Sequence, residues 1–141
     1  MNARWSLSRQ CFLPAHRSPE DQLSFRARRC GEAFVLSVRG EADAFTLGLW
    51  QRSVREALAV VAPGGTLVLD ASRLDFLSLD TLAAVADMAE ACSGDGTTLC
   101  LITRNPRIPA LASRHPRTAG LPIFSTVVGA LAALPPAVDQ R

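Results

Sequence analysis

A chain of 141 residues is the length of one folded core, and 48% hydrophobic against 20% charged residues is a globular rather than a disordered balance. The formal net charge of +2 is too small to argue for a nucleic-acid partner. No run approaches the ~18–20 apolar residues of a membrane span, and the polar start, broken by Pro14 and Pro19, has no secretory apolar stretch, so a cytoplasmic protein that binds neither membrane nor nucleic acid is expected.

Residues 1–21 carry Arg4, Arg9 and Arg17 with no acid before Glu20 and show no periodicity, so a flexible basic arm is expected there. The domain itself is expected over 22–135, with a short tail at 136–141. Leu23, Phe25 and Ala27 alternate with Ser24, Arg26 and Arg28, the period of a half-buried strand. Gly31-Glu32 turns the chain, and Phe34–Val38 reads as a second strand that ends at Gly40, close enough for a hairpin. Thr46 is placed to cap a helix by accepting from a free amide of its first turn. That helix presents Leu47, Trp50, Val54, Ala57, Leu58 and Val61 at three- and four-residue spacing, and Pro63-Gly-Gly65 stops it.

Thr66–Asp70 is a continuous apolar run of the kind found in a central buried strand. A loop is expected next, then a helix from about Leu79 to Ala91 with Leu82, Val85, Ala86 and Ala89 on one face. Gly94-Asp-Gly96 leads out of it into the buried run Thr98–Thr103. Strand and helix alternate here, so this part of the sheet should be parallel with right-handed crossovers. Arg104-Asn-Pro106 breaks the pattern before a short helix from Ile108 to about Arg114. Ile123-Phe124 is a short edge strand, and Ser125 or Thr126 caps a last helix that runs to Leu134.

Chemistry is sparse. Cys11, Cys30, Cys92 and Cys100 show no Cys-x-x-Cys spacing, and His16 and His115 have no clustered acids beside them, so no metal site and no cofactor are expected. All fifteen basic residues are arginine. With so many alanines this reads as codon bias, and the arginines are too scattered along the chain to suggest anion binding. Asp70, Asp75 and Asp80 fall at five-residue intervals around one strand end, where open α/β sheets place ligand sites. Yet no phosphate-binding glycine loop and no local nucleophile motif accompanies them. The expectation is a protein that is not an enzyme.

One stretch carries more. Leu67-Val-Leu-Asp70 is followed by Phe76-Leu-Ser-Leu-Asp-Thr-Leu82, with Gly40-Glu-Ala-Asp43 upstream and Thr118-Ala-Gly-Leu121 downstream. Together they resemble the STAS domain of bacterial anti-sigma-factor antagonists over Leu23–Leu134. The resemblance implies an α/β fold, a mixed four- to five-stranded sheet with about four helices mainly on one face. It also implies a turn that reads roughly apolar-apolar-Asp-Ser-Ser-Gly-Leu in the family. There the second serine, at a helix N-terminus, is phosphorylated by the partner kinase. The matching residues here are Ser78-Leu79-Asp80-Thr81, so Asp80 stands at the phosphoacceptor position.

A helix N-terminus holds about half a positive charge and unpaired amides, which favour an anion. Asp80 supplies one permanent negative charge where phosphoserine would bring about −1.5 to −2. It reads either as a partial mimic of the modified state or as an ordinary first-turn aspartate. Ser78 reads first as the helix cap. The resemblance further implies partner contacts at Asp43, Thr46, Ser78, Leu79 and Thr81. The implied partner is an anti-sigma factor or a kinase-like regulator. A STAS-type module that senses a nucleotide or small molecule, or that serves protein interaction outside sigma-factor control, is the alternative.

Overall fold

The computed structural model describes residues 18–134. Most of the expected arm, with Cys11 and His16, and the tail at 136–141 lie outside the described residues. A single helical turn, α1 (Pro19–Gln22), enters the hairpin β1 (Leu23–Cys30) and β2 (Ala33–Ala42). Then follow α2 (Leu47–Val60), β3 (Thr66–Leu77), α3 (Leu79–Ser93), β4 (Thr98–Ile102), α4 (Arg107–Ser113), β5 (Ile123–Phe124) and α5 (Val127–Ala133). The strands form one sheet in the order β1-β2-β3-β4-β5. The β1–β2 pair is antiparallel and the other three pairs are parallel. This is the expected mixed α/β architecture. No helix among the described residues is long and apolar enough to cross a membrane.

Successive right-handed crossovers in one direction place α2 and α3 on the same face. Their apolar stripes meet the alternate residues Leu36 and Val38 of β2, Leu67 and Leu69 of β3, and Leu99 and Leu101 of β4. Trp50 and Val54 of α2, Leu82 and Val85 of α3, and Ile108 of α4 complete that core. Trp50 is fully buried and meets Phe25 edge-on at 6.1 Å, a geometry worth ~0.5–1.5 kcal/mol beyond the area buried. Its indole N–H has no hydrogen-bond partner among the described residues. The other face has a smaller core, where Ala130 of α5 lies on Val35, Val68, Cys100 and Ile102. Burial pushes the Cys100 thiol up to about 12, so it stays protonated and inert near neutrality.

Two expectations are corrected. Ala27 is exposed, because the helix layer reaches Leu23 and Phe25 and leaves the far half of this edge strand open. The segment after Asp70 is not a loop: β3 continues to Leu77 and stays paired with β2 as far as Ala42↔Leu77. Register shifts between Ser37 and Arg39 and between Gly40 and Glu41 absorb the irregularity, as bulges do. The Asp70 carboxylate accepts from the Ser72 amide at 3.1 Å and from its hydroxyl at 2.6 Å, satisfying the distorted backbone.

Candidate functional site

The turn between β3 and α3 sits at the tip of the central strand and is tied down by hydrogen bonds on both sides. The Ser78 amide donates to the Ala42 carbonyl at 2.9 Å, which joins it to the end of β2. Ser78 is the α3 cap: its hydroxyl accepts from the Thr81 amide at 3.1 Å and lies 2.8 Å from the Thr81 hydroxyl. Asp80 is then the acidic residue of the first turn, exposed to solvent. Its charge complements the helix dipole, worth typically ~0.3–1 kcal/mol.

The β2–α2 loop is built on Asp43. One carboxylate oxygen accepts from the amides of Phe45 and Thr46 at 3.0 and 3.2 Å. The other accepts from the Gln22 side chain at 2.8 Å. Gln22 can come this close because Gly40, at φ +116°, has no side chain to collide with the Gln22 carbonyl. Thr46 occupies the cap position of α2 but does not cap it with its hydroxyl, contrary to expectation. That hydroxyl accepts from the Asp43 amide at 2.9 Å and donates to the Glu41 carbonyl at 3.1 Å, so the tight loop uses it before the helix can.

Of the six residues singled out from the sequence, the structure gathers Ser78, Leu79, Asp80 and Thr81 into one turn and ties Asp43 and Thr46 into the adjoining loop. Thr46 and Thr81, expected as partner contacts, are fully buried beneath the surface and bond to the loop and turn from within. Leu79 is 61% exposed, Phe76 52% and Phe45 51%. Phe45 and Leu111 were missed. Leu111, also exposed, lies across from the turn on α4 and lines grooves on either side of itself. One groove, of about 220 Å³, includes Phe76, Asp75, Arg107 and Ile108. The other, of about 340 Å³, includes Leu79, Asp80, Arg114, His115 and Arg117.

Arg117 was missed as well. Its guanidinium donates from Nε to Asp87 at 3.0 Å and also from a terminal nitrogen, tying the segment after α4 to the exposed side of α3. The hydrogen bond from Arg117 holds the Asp87 carboxyl below its ordinary value of 3.8. Asp87 likewise favours the charged guanidinium, first by its hydrogen bonds and then by its charge, with a smaller contribution from Asp80. Thirty residues separate Asp87 and Arg117, a spacing no sequence motif signals.

The carboxylates weighed for a cation do not assemble. Asp70 is engaged by Ser72, whereas Asp75 and Asp80 line different grooves. Among the described residues no group of three or more His, Cys, Asp or Glu side chains is arranged to hold a metal.

No protein-family model matches the chain. Among curated relatives, the Mycobacterium tuberculosis protein Rv2638, named as a candidate anti-anti-sigma factor, is 34% identical over 113 residues, covering 80% of this chain and 76% of its own. RsfA of the same species, named as an anti-sigma-F factor antagonist, is 30% identical over 101 residues, covering 72% of this chain and 79% of its own. The crystal structure of an anti-sigma factor antagonist from Mycobacterium paratuberculosis superposes with a TM-score of 0.67 at 27% identity, over 83% of this chain and 97% of that one. SpoIIAA in its unphosphorylated form shares the fold, with a TM-score of 0.58 at 14% identity, over 77% of this chain and 93% of its own. The rigid turn at Ser78–Thr81 and the similarity to these proteins lead to one conclusion: the chain belongs to the anti-sigma-factor antagonist family, with its STAS fold.

Proposed function

We propose that this protein binds an anti-sigma factor and so controls the availability of a sigma factor, acting in the cytoplasm as a non-enzymatic regulator without a cofactor. The observation that carries the reading is Leu79, an exposed apolar side chain next to Asp80 on a turn whose own bonds are all made by other residues. Together with Phe76, Phe45 and Leu111 it offers a partner apolar anchors on a rigid support. Burying one such side chain is worth ~1.5–3 kcal/mol. Asp80 sets the charge of the surface at the place where relatives of the family are phosphorylated, and the kinase-like character of the partner is part of the proposal.

Calorimetric titration with anti-sigma factors of the host tests it. An anti-sigma-F type is the first to try, because RsfA is named for that partner. Expected is a complex that Leu79→Asp weakens by at least about tenfold, ~1.4 kcal/mol, with no change in melting temperature. Failure of every anti-sigma factor of the host to bind, or full affinity in the Leu79→Asp variant, overturns the reading.

A further inference from the structure

Strand register gathers arginines that lie far apart in the sequence. Directly opposed residues of neighbouring strands project from the same face. Arg28 opposes Val35, which opposes Val68, which opposes Cys100; the last three lie beneath α5. The next row runs Arg26, Ser37, Asp70, Ile102, and the one after it Ser24, Arg39, Arg73. The smaller α5 core centres on β2–β4 and leaves Arg26, Arg28, Arg39 and Arg73 exposed on that side. Arginines scattered along the chain thus share one face of the sheet.

None of these four forms an ion pair among the described residues. The ion pairs among the described residues are Arg52–Glu20 and Arg117–Asp87. Asp70, the acid within the middle row, is engaged by Ser72. Arg39 and Arg73 stand directly opposite each other, a like-charge pair that costs stability. In these rows four arginines stand against the single carboxylate of Asp70, and the surplus presents fork-shaped donors to a carboxylate from elsewhere.

We infer that the open sheet face bearing Arg26, Arg28, Arg39 and Arg73 is a second docking surface, and that it takes an extended acidic segment of another protein. It is independent of the turn at Ser78, which lies with α3 on the opposite face. Charge complementarity names the occupant. Residues 1–17 contain no acid and residues 135–141 contain only Asp139, so neither of these segments is an acidic occupant for the face. The aromatic residues of the hairpin, Phe25 and Phe34, belong to the core on the other face, so the arginine rows offer no ring for base stacking. No large apolar side chain is exposed on these rows to enter a bilayer. Arginine clusters that read acidic motifs supply the recognition mode.

The test is fluorescence anisotropy with the full chain and a fluorescein-labelled peptide of consecutive glutamates. A lysine twin, single-stranded DNA and anionic vesicles serve as comparators. The glutamate peptide should bind and the lysine twin should not. The double variant Arg39→Gln/Arg73→Gln should weaken binding about tenfold while melting at or above the parent temperature, since a repulsion is removed. The triple variant Arg4→Gln/Arg9→Gln/Arg17→Gln should leave binding unchanged. Loss of binding in the triple variant, full binding in the double variant, no binding of the glutamate peptide, or tighter binding of DNA or vesicles would each overturn the proposal.

Discussion

Ser78 and Thr81 hold each other: one hydroxyl caps α3 by accepting from the other residue's amide, and the two hydroxyls are 2.8 Å apart with Thr81 fully buried. The pair turns an apolar strand end into a helix start within three residues. Ser78→Ala removes a cap worth ~0.5–2 kcal/mol and leaves a buried hydroxyl with one partner fewer. We expect a loss of about 2 kcal/mol in urea denaturation. Ser78→Asp, which keeps an acceptor at the cap, should recover much of it. An alanine variant as stable as the parent would show that the cap contributes nothing.

Trp50 allows two truncations to be compared. Trp50→Ala empties a fully buried ring site and should cost ~3–5 kcal/mol, a large share of a total stability of ~5–15 kcal/mol. Trp50→Phe loses volume but also removes an indole N–H that has no partner among the described residues. The phenylalanine variant should therefore lose less than half as much as the alanine variant. Equal losses in denaturant titrations would mean that the unpaired donor is no liability.

Asp80 is open to a charge test. In the family, the unmodified antagonist binds its anti-sigma partner and added negative charge releases it. On the function proposed above, Asp80→Ser should tighten binding to the anti-sigma partner several-fold, since one charge at a solvated surface is worth on the order of 1 kcal/mol. The gain should shrink from low to physiological salt. Equal affinities at both salt concentrations would leave Asp80 as an ordinary first-turn aspartate. Tighter binding by the parent would indicate a partner that recognises the aspartate.

Arg117 and Asp87 predict a pH effect. Arg117 holds the Asp87 carboxyl below 3.8 in the folded protein. A carboxylate depressed in this way contributes stability that is present above its unfolded value and lost as the pH falls through its folded value. The contribution is small, because both side chains are exposed and solvent screens the pair. Arg117→Gln should lower stability by a constant amount above about pH 5 and approach the parent in more acidic solution. A gap that persists at low pH would assign the loss to packing instead.

Much of this architecture is legible in the sequence because local rules decide it. The apolar spacing of α2 and α3, the run Thr66–Asp70, the pair Ile123-Phe124 and the caps Ser78 and Thr126 each follow from residues close in the chain. What escapes notice depends on pairing over distance. The extension of β3 to Leu77 requires β2 beside it, and the Thr46 hydroxyl is diverted by a loop whose shape Asp43 sets. Arg26, Arg28, Arg39 and Arg73 are unremarkable until the sheet register aligns them. Leu111 and Arg117 reach the site only because α4 folds back over the start of α3.

The bonds that hold the turn and the side chains that face outward from it belong to different residues. Ser78, Thr81 and the Ala42 carbonyl fix the backbone, whereas Phe76, Leu79 and Asp80 project from it. The outward set can therefore be exchanged without redrawing the support. A lineage of such proteins can acquire a new partner by point substitutions that cost the scaffold little, about the ~0.3–1 kcal/mol of a first-turn charge in the case of Asp80.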